Sequence, residues 1–165
     1  PVVEETVRIH TWPAQSDYRV VDFDLRLLAL VDEVRIGGSD DRKGYGGFSP
    51  RLRMSGSERF VSSSGELEPQ TTAIEAGTWL NIAAGDTGTA ILVHRDNPQV
   101  TEESAKWILR RTRSMQNAVY PGREPVPIST DNPTRLRYRL IVHDGTITPQ
   151  TLNKLQADYW SQPPR

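Results

Sequence analysis

Across residues 17–36 the apolar side chains of Phe23, Leu25, Leu27, Ala29 and Val31 share one parity, while Asp22, Asp24 and Arg26 hold the other. A period of two marks a half-buried strand, because successive side chains of extended backbone point to opposite faces. Leu28 and Leu30 make the second half apolar on both faces, as in a strand that enters a sandwich interior. The alternation also opens the chain, where Val3, Val7 and Ile9 interleave with Glu4, Arg8 and His10 before Pro13. It returns at Leu136, Tyr138, Leu140 and Val142, which end at Asp144-Gly145. This repeated pattern predicts a mainly β, antiparallel sandwich.

Turn chemistry divides the rest into short strands. Gly37-Gly38-Ser39-Asp40-Asp41 reads as a turn, followed by strands over 45–54 and 58–62. Residues 71–84 and 89–95 are β-compatible and joined by Gly85-Asp86-Thr87-Gly88, a hairpin. Residues 101–115 carry helix-start residues and are read as a helical turn at most. Residues 120–133 hold Pro121, Pro125, Pro127 and Pro133 and read as a surface crossover. Thr148 as cap, Pro149 at the first helical position and Leu152, Leu155 and Tyr159 on one face predict a short C-terminal helix over a sheet edge or end.

At 165 residues, with no repeat or linker, the chain is sized for a single domain over 1–165. Twenty basic against twenty-one acidic side chains give a net charge of -1, which offers no footprint for nucleic acid. The strongest apolar stretch, Leu27 to Val31, is far too short for a membrane span. With no cysteine there are no disulfides, iron–sulfur clusters or thiolate zinc sites, and the compartment stays open, periplasm and exterior included. Pro1, with no basic or apolar leader after it, reads as a processed or engineered start.

Several constellations bear on chemistry. Asp86-Thr87-Gly88-Thr89 matches the short string around an aspartic-protease carboxylate, but Asp and Gly are also what hairpin turns select, and the turn is the expected reading. The glycines among Lys43-Gly44-Tyr45-Gly46-Gly47-Phe48 lack P-loop and dinucleotide spacing. They mark either a kinked strand or a close approach of ligand or backbone, with Lys43, Tyr45 and Arg51 flanking the gap. His10, His94 and His143 show no metal-ligand spacing, so no metal site is assigned and any cofactor is left unknown. His94 and His143 each end an apolar strand, a place where binding residues gather. Trp12, Trp79, Trp107 and Trp160 are expected in the core, with one at most in a site. Arg135, Arg137 and Arg139 form a stripe whose default is a solvated face, the alternative being an anion site.

The segments Lys43-Gly-Tyr-Gly-Gly-Phe-Ser-x-Arg51, Trp79 ahead of a strand, His94-x-x-Asn97-Pro98 and Tyr138-Arg139-Leu-x-x-His143-Asp-Gly145 together resemble the PmoA-like family of bacterial proteins. The resemblance runs from about Asp22 to Trp160 and corresponds to the C-terminal half of a full-length member. It implies a sandwich similar to the galactose-mutarotase and glycoside-hydrolase accessory fold, and hence a carbohydrate ligand. The membrane monooxygenase subunit from which the family name derives is not matched by any spanning segment here. In mutarotase-like enzymes a His acid and a carboxylate base work on opposite sides of a sugar ring. The resemblance therefore implies His94 or His143 as proton-transfer residue, with Lys43, Tyr45, Arg51, Asn97 and Arg139 binding substrate on a concave face. No carboxylate is marked as the partner. Half a sandwich also implies open sheet edges, to be covered by an N-terminal half, a second chain or self-association. The competing reading is a non-catalytic recognition or structural module that associates through those edges.

Overall fold

The computed structural model describes residues 1–39, 41 and 43–163, so Asp40 of the expected 37–41 turn lies outside the described residues. The strands are β1 (Val3–Thr11), β2 (Tyr18–Ala29), β3 (Arg35–Ile36), β4 (Gly47–Phe48), β5 (Arg59–Ser62), β6 (Gly65–Leu67), β7 (Ile74–Ala76), β8 (Trp79–Ala84), β9 (Thr87–Val93), β10 (Ala105–Ile108), β11 (Asn117–Val119), β12 (Val126–Pro127) and β13 (Thr134–Asp144). One helix among the described residues, α1 (Pro149–Trp160), follows the last strand. Seven strands form a sheet in the order β1-β2-β13-β9-β8-β5-β6, four form a second sheet in the order β4-β11-β10-β7, and β12 pairs with β3. Every pairing is antiparallel.

The two larger sheets pack as a sandwich. Phe60, Leu80, Ile82, Ile91, Leu136 and Tyr138 of the large sheet share one core with Ala76, Ala105, Trp107 and Ala118 of the small one. Phe48 of β4 stacks on Tyr138 of β13, ring centroids 4.7 Å apart, which joins the layers directly. The opposite parity of the large sheet is also buried. Val20, Trp79, Ala90, Leu92 and Ile141 pack against Leu152 and Tyr159 of α1. The helix therefore forms a third layer on the face of the sheet, rather than a lid on its edge or end. Thr148 caps it by accepting from the Thr151 N–H, and Pro149 sits where no intrahelical donor is required.

The structure corrects several local expectations. Of 45–54 only Gly47–Phe48 is strand. Residues 101–115 hold strand β10 instead of a helical turn: Ala105 and Trp107 enter the core on one parity, with Lys106 exposed between them. The 71–84 run is two strands in different sheets, separated at Gly77, where the Ser63 hydroxyl occupies the place of a Cβ. The proline-rich crossover is not all surface: Tyr120 and Ile128 are buried, and Val126–Pro127 pairs with β3. The interior run stops at the end of β2: Ala29, its last residue, is buried, whereas Leu30 and Val31 beyond it are exposed. Gly85-Asp86 is the tight hairpin turn between Ala84 and Thr87.

Candidate functional site

A cleft of about 420 Å³ opens where the β5–β8–β9–β13 portion of the large sheet meets the first turn of α1. That volume falls inside the range of roughly 300–1,000 Å³ typical of small-molecule sites. Strand periodicity builds its floor: Arg59 and Val61 of β5, Trp79, Asn81 and Ala83 of β8 and His143 of β13 all project to the helix-covered face. Thr146, Ile147, Pro149 and Leu152 supply the wall at the helix start.

His143 is the buried centre of this cleft. Its Nδ1 lies 2.8 Å from the Gly145 carbonyl and 3.3 Å from that of Asp86, and its Nε2 lies 3.0 Å from Asn81 Oδ1. An imidazolium satisfies all of these acceptors with the amide as it stands. A neutral ring protonated on Nδ1 satisfies them once Asn81 reverses and donates its NH2 to Nε2. The proton on His143 thus sets which end of the Asn81 amide faces the ring. Gly88, opposite His143 in the β9–β13 register, makes the packing possible, since a Cβ there falls 2.6 Å from His143 Nε2.

The rim is tied down independently. Thr146 Oγ1 donates to Asp86 Oδ1 at 2.6 Å, and the Gly145 N–H donates to the Asp86 carbonyl at 2.9 Å, which locks the two loops beside His143. Ser57 is placed by a loop folded around the Glu58 carboxylate, which accepts from the Ser55 N–H, the Ser55 hydroxyl and the Gly56 N–H. Burial pushes the Glu58 pKa up, but these donors outweigh it and hold the carboxyl below its ordinary value. Arg59 forks onto Glu66 through Nε and Nη2 at 2.9 and 2.7 Å on the open side.

His94 stands elsewhere. It lies beside Arg137, six residues before His143 on β13, so about 20 Å of strand separates the two histidines. Only 1% of His94 is exposed; Arg137 Nη1 lies 2.7 Å from its Nε2, and the Asp96 N–H donates to its Nδ1. Burial first, then the Arg137 charge, lowers its pKa to about 4, against the opposing pull of Asp96. The ring packs edge-on against Tyr159 of α1. Asn97 mimics a strand neighbour, donating from Nδ2 to the Arg137 carbonyl and accepting the Arg137 N–H at Oδ1.

The arginine stripe is not a solvated face. Arg139 forks onto Asp22 at 2.6 and 2.8 Å, stacks on Tyr159 at 4.4 Å and donates to Gln162 Oε1. Arg137 donates to the Gln162 carbonyl, and Arg135 pairs with Asp24. Arg137 thus meets backbone carbonyls just past the C-terminal end of α1, which has no basic residue of its own in its last turn. In this structure Arg139 and Asn97 hold the helix and strands in place.

Lys43, Tyr45 and Arg51 belong to a third region, beside the small sheet. Tyr45 lies between cations, 5.9 Å from Lys43 Nζ and 5.8 Å from the Arg110 guanidinium carbon. Lys43 pairs with Asp41, and Arg51 reaches the Ser114 carbonyl at 3.4 Å. The glycines here serve a backbone approach: a Cβ on Gly46 falls 2.5 Å from the Tyr120 carbonyl. Of the residues singled out in the sequence, His143 and Trp79 share the cleft, and Trp79 is a core side chain 1% exposed. Sequence reasoning missed Asn81 and Arg59. The signal for Asn81 was a lone amide inside the apolar run Trp79-Leu-Asn81-Ile-Ala-Ala.

The fold and cleft define an antiparallel β-sandwich with a helix-flanked pocket of mixed polar and apolar lining. Over residues 1–157 the chain matches the model of a family of unknown function, DUF6807, and it belongs to that family. No curated protein and no solved structure matches it. No helix among the described residues is long and apolar enough to cross a membrane, and no group of three or more His, Asp or Glu among them is arranged to hold a metal ion.

Proposed function

We propose that the protein binds a carbohydrate in the His143 cleft. The observation that carries this reading is the lining: an amide, an imidazole, a guanidinium and the hydroxyls of Ser57 and Thr146 stand beside the apolar walls of Val61, Ile147 and Leu152. Sugars need that mixture, because their C–H faces pack on apolar surface while their hydroxyls exchange hydrogen bonds with oriented polar groups. The four sequence segments that together resemble PmoA-like proteins imply the same ligand class. Recognition is favoured over acid/base chemistry on the ring because none of the lining residues is a carboxylate to work opposite His143. Calorimetric titration with neutral mono- and disaccharides tests it. At least one is expected to bind, and Asn81→Ala is expected to weaken it about tenfold, the loss of one or two buried hydrogen bonds. A panel with no binder, or an unchanged affinity in Asn81→Ala, contradicts it.

A second reading, association through a sheet edge, rests on β1. Its outer edge is unpaired among the described residues, and Val7 and Ile9 on it are exposed, with Val2 beside them.

A further inference from the structure

The geometry points to a second ligand site: we propose that a cleft farther along α1 binds a protonated organic amine. This cleft, about 410 Å³, shares Trp79 with the His143 site and continues along α1 past Asn153 and Gln156 to Trp160, with Glu102 and Glu103 on its open side. The inference does not depend on the carbohydrate reading.

Two observations converge on a cation that only donates hydrogen bonds. Glu102 and Glu103 are exposed carboxylates with no ion-pair partner among the described residues. Gln156, only 4% exposed, donates through Nε2 to the Val93 carbonyl at 2.8 Å, but its Oε1 has no partner. Buried acceptors are nearly always paired, so an orphan one on a residue that lines a cleft is a place where an added donor would be favourable. Trp160 spends its only N–H on the Val93 carbonyl, and its ring, which lines the cleft, already has the Arg95 guanidinium carbon 5.9 Å from its centroid. Because Arg95 uses that ring, the attraction for a second cation comes from the two carboxylates and the unpaired acceptor. An ammonium group brings three donors and no acceptor, which complements this set, whereas an anion meets two carboxylates.

Glucosamine is the probe, titrated by calorimetry at about pH 6, where its amine is protonated. Glucose and N-acetylglucosamine serve as neutral controls of similar size. Glucosamine is expected to bind, both controls to bind at least about tenfold more weakly, and the affinity to fall with added salt. In E102Q/E103Q, whose side chains are exposed and whose fold is therefore safe, glucosamine affinity is expected to fall about tenfold. Absence of glucosamine binding, equal affinity for N-acetylglucosamine, or unchanged affinity in E102Q/E103Q overturns the proposal. If instead Arg59→Ala abolishes glucosamine binding and E102Q/E103Q does not, the amine sits in the His143 cleft. That result overturns the second site while leaving the first intact.

Discussion

His94 shows how one buried side chain becomes a pH-dependent support. Unfolded, its ring binds a proton near pH 6.5; folded, burial and the Arg137 charge delay this to about pH 4. Between those values the unfolded chain holds more protons, so stability is complete above about pH 6.5 and is lost as pH falls towards 4. The shift corresponds to about 3 kcal/mol. Glu58 acts in the same direction at lower pH, since its depressed carboxyl loses its contribution as pH falls through its folded value. Urea denaturation across this window is expected to show the loss, and His94→Gln is expected to flatten the part between pH 6.5 and 4. An equal slope in that variant removes His94 as the cause.

Among the elements, β13 joins all three layers. One parity of its side chains, Leu136 and Tyr138, enters the sandwich core. The other, Arg137, Arg139 and His143, meets α1 and the clefts around it. Arg139→Lys is expected to destabilise the protein by about 2 kcal/mol or more, because an ammonium cannot reproduce the fork onto Asp22 or the flat stack on Tyr159. Equilibrium denaturation checks this, and a change of a few tenths contradicts the structural role. β2, β13 and α1 were legible in the sequence because their periods extend over eight residues or more. β10 and β12 were not, and β4 was read as a far longer strand, because strands of two to four residues carry too few alternations to outvote local turn and helix signals. The arginine stripe was misjudged for a related reason. Alternation of Arg with Leu reads as a wet face unless the acids on the neighbouring strand, Asp22 and Asp24, and the overlying helix are known.

At the scale of the whole molecule, the sandwich is closed by α1 on one side and open along β1 on the other. Ile9 and Val7 lie 62% and 45% exposed on an unpaired nine-residue edge. If copies of the chain associate there, Ile9→Lys is expected to shift the protein towards monomer in light scattering, a charged edge being a barrier to strand pairing. An unchanged mass at matched concentration removes β1 as the interface. The site was only partly legible for an equally physical reason. Sequence places strand ends but not their distance apart, and the fold sets His94, His143 and the Lys43–Tyr45–Arg51 loop in three separate regions. His143 alone meets Asn81, Arg59 and the helix start.

The most direct test of the carbohydrate reading is a ¹⁵N NMR titration with the best-binding neutral saccharide. The account predicts shifts concentrated on the side chains of Asn81, His143 and Arg59 and on the backbone of 145–149, with Lys43 and Tyr45 unmoved. Shifts centred on the Lys43–Tyr45 loop or around His94, with the His143 cleft silent, contradict it.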